Sequence, residues 1–521
     1  MKNKGFTLVE LLAIIGILSV ITVITIPTID STIKKNKEKL FNQQIETIRN
    51  GLKTWGDANV DRLPEESGDT LTLNLGYMKA EGFVKPDLVN PKNKQCYAND
   101  IKLYIKRVNE NYEYIVDFES GSEATEYDCN AGDLIYTDSI LNGADPILSN
   151  GLIPVTIEDN GTVKRADIYS EWYNYSEKKW ANAVILTPTG KVETDGTILE
   201  SSIESYFVWV PRYRYKLFDM GDYSSINTAG LPSTSNSKEI EIKFENKYTE
   251  ISIGTKVGEF HSHPAFQAFD SNGLWVGKFE TTGSLNNVTI KPNNKAINYV
   301  SVKNMFTSAY NYKRNINSHM MKNIEWGATA YLSLSRYGKN NEVNINNNSE
   351  LMTGYSSVVR TTPSEFAWGT ASSITLPYNT TIGYQASTTG NITGIYDMSG
   401  GANEYMAAYL HGNVGDSDFT ISEIENYGNK YFDIYPSDSA SGKYYNRILG
   451  DATGELGPFY IVDTHPLSNW YEDIAYFVDP EYSWIMRGGI YLQSSKAGQL
   501  FFGGDMGGPD TKTGFRITLT N

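Results

Sequence analysis

The chain has 521 residues, 40% hydrophobic and 20% charged, with 61 acidic against 45 basic side chains and a formal net charge of −16. That is enough apolar material for roughly two to four packed domains and excludes a globally disordered chain. The acidic balance argues against a nucleic-acid binder, which needs a dense basic face, and 2 cysteines exclude a disulfide framework or a cysteine-built zinc cluster. The 36 tyrosines, 45 glycines and 9 tryptophans, with runs of Asn, Ser and Thr, suit a β-rich extracellular surface.

From Phe6 to Ile26 the chain is mostly Leu, Ile and Val, with Glu10 as its one charge. As a helix rising about 1.5 Å per residue the run covers roughly 32 Å, enough for the hydrocarbon core of a bilayer. A cleaved secretory signal has a shorter apolar region followed by a small-residue site, whereas Pro27-Thr28-Ile29 follows here. Ile29, Ile33, Phe41, Ile45, Ile48, Leu52 and Trp55 then recur mostly at spacings of three or four, which predicts a long amphipathic helix kinked at Pro27. Lys34, Lys35, Lys37 and Lys39 follow the apolar run, so charge alone leaves its orientation open.

Lys2, Lys4 and Gly5, followed by Phe6-Thr7-Leu8-Val9-Glu10, closely resemble the amino terminus of type IV prepilins. The resemblance implies cleavage after Gly5 by a prepilin peptidase and N-methylation of Phe6. It also implies a carboxy-terminal region facing outward. Glu10 is costly in hydrocarbon unless paired, and in the family it pairs with a neighbouring subunit's amino terminus during assembly.

Short alternating runs follow at Thr70–Leu75, Lys102–Val108 and Tyr112–Phe118, with a turn at Asn109-Glu110-Asn111. A helix followed by a small antiparallel sheet is the pilin architecture. Cys96 and Cys129 flank this sheet. Outside the cytoplasm they are expected to form a disulfide, worth roughly 3–4 kcal/mol by chain entropy; two free thiols are the alternative. Residues 137–200, beginning Thr137-Asp138-Ser139-Ile140, show strand-like runs at Ile153–Ile157 and Trp180–Leu186 and read as a connecting β segment.

Phe207-Val208-Trp209-Val210-Pro211-Arg212-Tyr213 opens a different kind of sequence. Three later stretches, Gly394-Ile395-Tyr396-Asp397-Met398-Ser399-Gly400-Gly401-Ala402-Asn403-Glu404-Tyr405, then Arg487-Gly488-Gly489, then Gly514-Phe515-Arg516, resemble in order and spacing the motifs of the formylglycine-generating enzyme and sulfatase-modifying-factor family. The resemblance implies a variant of the C-type lectin fold. The family's copper-binding cysteines align with Gln493 and Gly498, neither of which supplies a thiolate, so no copper and no oxidase chemistry are expected. The resemblance also implies a calcium site, with Asp397, Glu404 and the carbonyls of Gly400 and Ala402 as ligands; such an oxygen set suits a hard cation. Asn403 and Gly401 depart from the family's pattern there.

His261-Ser262-His263-Pro264 is similar to the zinc-binding sequence of zinc isopeptidases, but Asn272 and Trp275 stand where that family needs a Ser and an Asp. Gly503-Gly504-Asp505-Met506-Gly507-Gly508 lacks the Gly-Lys-Ser/Thr of a phosphate loop. Residues Ile324–Leu332 read as a short helix despite Gly327.

The fold class expected is α+β: a long N-terminal transmembrane and amphipathic pilin helix with a small antiparallel sheet, then a large C-type-lectin-like α+β domain. Its segments are a leader at 1–5, the helix at 6–56, a globular β domain at 57–136, the connecting segment at 137–200 and the large domain at 201–521. The function expected is that of a minor, tip-located pilin or pseudopilin displaying a non-catalytic domain for adhesion or surface recognition. A surface enzyme of the formylglycine-generating family and a ligand-free assembly initiator are the alternatives. Partners are other pilin subunits, the prepilin peptidase, the membrane and an extracellular glycan or protein, with no nucleic acid. The chain is expected to cross the cell membrane once before assembly and then to lie at the cell surface. In the lectin-like fold the loops between the second and third motifs lie on an exposed face, which places ligand contacts at Tyr491, Gln493, Phe501, Phe502 and Asp505. Neighbours on a strand point to opposite faces, so one of the two phenylalanines is expected in the core and the other exposed.

Overall fold

The computed structural model describes residues 7–121, 124, 126–129, 141, 143–148, 151–168, 170–217, 239–357, 375–436, 448–453, 467–468, 471, 473–493 and 496–520, except for the side chains of residues 10 and 16–30. Gly5, Phe6 and the side chain of Glu10, together with the start of the connecting segment at Thr137–Ile140, therefore lie outside the described residues. The chain divides into two compact units, one of residues 1–63, 73–105 and 112–134, the other of residues 64–72, 106–111 and 135–521.

The first unit is built on a long helix, α1 (Leu8–Ala58). Its last turns bury Ile48, Leu52 and Trp55 completely. These positions recur at spacings of four and three, so one stripe carries the packing while Lys34, Lys35, Lys37 and Lys39 sit outside it. This corrects the expectation of a transmembrane pilin helix: among the described residues, no helix is long and apolar enough to cross a membrane. The part of α1 beyond residue 30 is amphipathic, and the mixed α+β character of the chain stands. Strands β1 (Thr70–Asn74), β2 (Lys102–Val108) and β3 (Asn111–Asp117) form a three-stranded sheet in that order, and the short helix α2 (Leu75–Ala80) follows β1 directly. The Asn74 side chain caps α2 by accepting the Tyr77 N–H at 2.7 Å. Cys96 and Cys129 are joined in a disulfide with their Cα atoms 5.3 Å apart.

The second unit carries two large sheets. Residues 137–200 supply β4 (Ile153–Ile157), β5 (Val163–Arg165), β6 (Asn182–Leu186) and β7 (Thr197–Ile198). These join β8 (Ile203–Pro211), β12 (Gly273–Gly277), β15 (His319–Met320) and β25 (Ile517–Leu519) in one eight-stranded sheet of order β15-β25-β12-β8-β6-β4-β5-β7. The strand residues Phe207, Val208, Val210, Leu274, Trp275 and Val276 are fully buried, and the Trp209 and Trp275 rings lie 5.2 Å apart. A small sheet of β9 (Tyr213–Lys216), β10 (Ile242–Phe244) and β11 (Phe260–Ser262) continues from β8. The ribbon of β13 (Thr282–Ser284) and β14 (Asn287–Thr289) turns through Leu285 and Asn286, and a second ribbon pairs β16 (Tyr355–Ser357) with β17 (Thr375–Pro377).

The other large sheet runs β19-β18-β22-β23-β21-β20 through β18 (Asn403–Leu410), β19 (Asp433–Tyr435), β20 (Leu467–Ser468), β21 (Ile474–Ala475), β22 (Trp484–Gly488) and β23 (Gly498–Asp505), with β24 (Thr513–Phe515) also paired to β18. Helices α3 (Val302–Tyr312), α4 (Asn323–Ser333) and α5 (Ile421–Tyr431) complete the unit. All eleven residues of α4 are buried, so Gly327 is a packing position: a Cβ there would lie 1.9 Å from the Gly450 carbonyl oxygen. At its carboxy-terminal end the chain passes from one large sheet to the other. β24 pairs with β18, and one residue later β25 enters the eight-stranded sheet between β12 and β15. Arg516 stands at that crossing.

Candidate functional site

The three sequence motifs meet around Glu404. On β18 it is paired in register with Arg487 of β22 on one side and Gly514 of β24 on the other. Its carboxylate takes a fork from Arg516: Nε donates to Oε2 at 2.9 Å and Nη2 donates to Oε1. Two more guanidinium hydrogens reach the carbonyls of Gly277 at 2.7 Å and Tyr396 at 3.0 Å. Both side chains are fully buried, and the Glu404 charge holds the Arg516 guanidinium above its already high range against the opposing effect of burial.

Two further carboxyl groups crowd this pair. Asp397 accepts the Gly354 N–H on Oδ1 at 3.0 Å and Oδ2 at 2.7 Å, and Asn346 Nδ2 donates to Oδ1 at 3.2 Å. Glu280, fully buried, accepts the Ala402 N–H on Oε1 at 3.0 Å, while its Oε2 has no partner. Burial, reinforced by the Glu404 charge, pushes Asp397 up to about 7; burial and the neighbouring carboxylates push Glu280 well above the usual range. Lys278, on the same stretch of chain, extends its ammonium to Asn182 Oδ1 at 2.8 Å and to the carbonyls of Ile392 and Gly394 at 2.6 and 2.9 Å. Burial pushes it well below the usual lysine range, but three acceptors match the three hydrogens of an ammonium.

Two of the expected calcium ligands, Asp397 and Glu404, are engaged by protein donors in this arrangement. Both Glu404 oxygens are held by Arg516, which supplies the positive charge there, and both Asp397 oxygens receive N–H donors. Gly400 and Ala402 sit in the same loop, whose N–H groups donate to the Gly488 carbonyl and to Glu280 Oε1. A cation at Glu404 would have to displace a buried guanidinium. Among the described residues, no group of three or more His, Cys, Asp and Glu side chains could hold a metal. Of the histidine pair, His263 Nε2 lies 2.9 Å from the Gly450 carbonyl and burial pushes this ring down to about 3, while His261 Nε2 lies 3.0 Å from the Lys256 carbonyl.

The expected ligand face is corrected in part. Phe501 and Phe502 are both buried, at 3% and 0% exposure, because β23 lies inside its sheet with side chains packed over both faces. Gln493 is buried and turns its carboxamide back on its own loop, with Oε1 accepting the Ile490 N–H at 2.6 Å. Asp505 accepts the Tyr405 hydroxyl and the Gly507 N–H. Tyr491 is half-buried and its backbone N–H bonds to the Gly401 carbonyl at 2.9 Å. At Gly498 a Cβ would fall 2.1 Å from the Asp473 carboxylate. The chain's two cysteines are both spent in the first unit's disulfide.

An open site lies elsewhere in the same unit. Asn304, Thr307, Ser308 and Asn311 recur at helical spacing on α3, opposite the stripe of Val302, Met305, Phe306 and Ala309 that packs into the core. This polar stripe faces the β13–β14 turn across a groove of about 430 Å³. Ser308 Oγ donates to the Leu285 carbonyl at 2.8 Å and ties the two walls together. Glu204, from the start of β8, lies among the lining residues; its Oε1 receives the Tyr312 hydroxyl at 2.8 Å and Lys313 Nζ at 3.0 Å, and its Oε2 has no partner. Burial and the Glu204 charge push the Tyr312 hydroxyl well above its usual range, so it remains a donor. The exposed carboxamides of Asn286, Asn287 and Asn311 make no hydrogen bond within the protein. Gly283 shapes the turn: its φ is +88°, and a Cβ would lie 2.4 Å from the Asn287 carbonyl oxygen.

Sequence reasoning missed this groove because Asn and Thr at helical spacing read as an ordinary solvated face. The signal that was present is the amide pair Asn286-Asn287 where the β13–β14 turn enters β14. No protein-family model matches the chain, and no curated protein matches it by sequence.

Proposed function

We propose that the chain is a minor, tip-located pilin- or pseudopilin-like subunit that displays a non-catalytic ligand-binding domain for adhesion or surface recognition. The observation that carries the reading is the groove between α3 and the β13–β14 turn: an open concavity in which the carboxamides of Asn286, Asn287 and Asn311 are exposed and unpaired. Gln493 folded onto its own loop, Gly498 pressed against Asp473 and the absence of a free cysteine support a binding role over oxidase chemistry. The prepilin-like residues Gly5, Phe6 and Glu10 support processing by a prepilin peptidase, assembly with other pilin subunits and a large unit that faces outward.

The test applies the full chain to arrays of glycans and of extracellular proteins, alongside a Thr307→Trp variant that fills the groove. Capture of at least one class of ligand, reduced at least tenfold by Thr307→Trp, is the expected result. No capture on either array, or capture indifferent to the substitution, overturns it.

A further inference from the structure

We infer that the groove between α3 and the β13–β14 turn binds a neutral saccharide; this rests on the binding role proposed above and names its ligand class. Charge comes first. The cation at the groove, Lys313, is committed to Glu204 at 3.0 Å, and both belong to the lining. The pair cancels, so a phosphate, sulfate or carboxylate ligand meets no uncommitted cation there, and a basic ligand meets an acid already neutralised.

Hydrogen-bond capacity comes next. Each carboxamide offers two donors and an acceptor side by side, and each hydroxyl of a sugar is both donor and acceptor. Asn286 and Asn287 stand on the turn and Asn311 across from them on the helix, all exposed and without a protein partner. Thr307, exposed on the same stripe, sends its hydroxyl hydrogen to the Lys303 carbonyl at 2.7 Å and so keeps its oxygen lone pairs for a ligand donor. Glu204 Oε2 adds an acceptor, also with no protein partner. A ring bearing adjacent hydroxyls matches donors and acceptors alternating on two facing walls.

The walls are also fixed before any ligand arrives. One is a helix, the other a tight turn, and the Ser308 bond to the Leu285 carbonyl joins them. Asparagine is short, so holding it costs less rotamer entropy than holding Lys, Gln or Arg. A peptide would match the amides too, but it brings side chains that need apolar recesses. The apolar lining here is Leu285 and Val288, and Val288 is buried. The volume of about 430 Å³ falls within the roughly 300–1,000 Å³ typical of small-ligand sites.

The experiment is saturation-transfer NMR on the full chain with a panel of neutral di- and trisaccharides built from glucose, galactose, mannose and N-acetylglucosamine, beside sialyllactose, a heparin tetrasaccharide and a random heptapeptide pool. At least one neutral sugar is expected to show transfer, with affinity falling at least tenfold in Asn286→Ala/Asn311→Ala. Neither side chain bonds to the protein, so the melting temperature of that variant should match the parent and loss of folding does not mimic loss of binding. Transfer to the charged sugars or peptides alone, with the variant reducing it, overturns the saccharide and leaves the binding role standing. Transfer to a neutral sugar unaffected by the variant overturns the groove as its site, and silence across the whole panel overturns the saccharide.

Discussion

Glu404 and Arg516, 112 positions apart in the chain, meet as a two-pronged ion pair with no exposure to solvent. The pair joins β18 to the residue at which the chain leaves one sheet for the other, so it couples the two large sheets of the second unit.

Removing one partner leaves the other charged and buried. Arg516→Met is expected to destabilise the second unit by about 3–5 kcal/mol, the usual cost of an uncompensated buried charge. Urea unfolding followed by tryptophan fluorescence measures it; a loss under 1 kcal/mol would show that Glu404 finds another partner.

Asp397 gives the same cluster a pH dependence. Its folded-state pKa of about 7 lies above the unfolded value near 3.8, so the native state holds a proton that the unfolded chain gives up. Its contribution to stability is complete below pH 3.8 and is lost as pH rises through about 7, at up to roughly 1.4 kcal/mol per pH unit. The groups facing it are Glu280, Glu404, Arg516, Asn346 and the Gly354 N–H. Asp397→Asn removes the titration, so the stability of the parent relative to this variant should fall between pH 4 and 7. A difference that is flat or rising across that interval contradicts the assignment.

Lys278 is expected to resist replacement by a residue of similar length. Lys278→Met leaves Asn182 Oδ1 and two carbonyls without their donor, at about 1–3 kcal/mol for each group left unsatisfied. Thermal melting of the variant should show a large downward shift, and an unchanged melting temperature would mean that water replaces the ammonium.

In the first unit, Cys129→Ser opens a loop spanning 33 positions and should lower stability by about 3–4 kcal/mol by chain entropy. Because the bond lies within one unit, hydrogen exchange should quicken in residues 73–105 and 112–134 while the second unit keeps its protection.

At the amino terminus, intact-mass analysis of the native protein is expected to show a chain beginning at methylated Phe6, and a bulky residue at Gly5 should block that maturation. Glu10→Ala should reduce incorporation into filaments. Native protein retaining its first five residues speaks against the processing, and normal incorporation of the variant against the role of Glu10.

Much of the strand pattern was legible because it follows from alternation: the expected run Ile153–Ile157 is β4, and Lys102–Val108 is β2. The sequence singled out three stretches, but their meeting at Glu404 needed the register of β18 with β22 and β24. What alternation cannot show is how many layers cover a strand. Phe501 and Phe502 point to opposite faces, and both are buried because both faces of β23 are covered. Lys278 and Glu280 were invisible for a similar reason, since a charged residue next to a strand reads as solvated until its partners, 96 to 122 positions away, are in place. The transmembrane reading weighed apolar content over a span, whereas the described part of α1 buries a single stripe.

The insertion of β25 between β12 and β15 has a consequence for how the molecule is made. Arg516 and Gly277 are 239 positions apart, so this part of the eight-stranded sheet waits for a strand made long after its neighbour β12. Until then β12 and β15 each carry an unpaired edge, the kind of surface that templates aggregation. The eight-stranded sheet therefore cannot close around β25 until residues 517–519 have been synthesised.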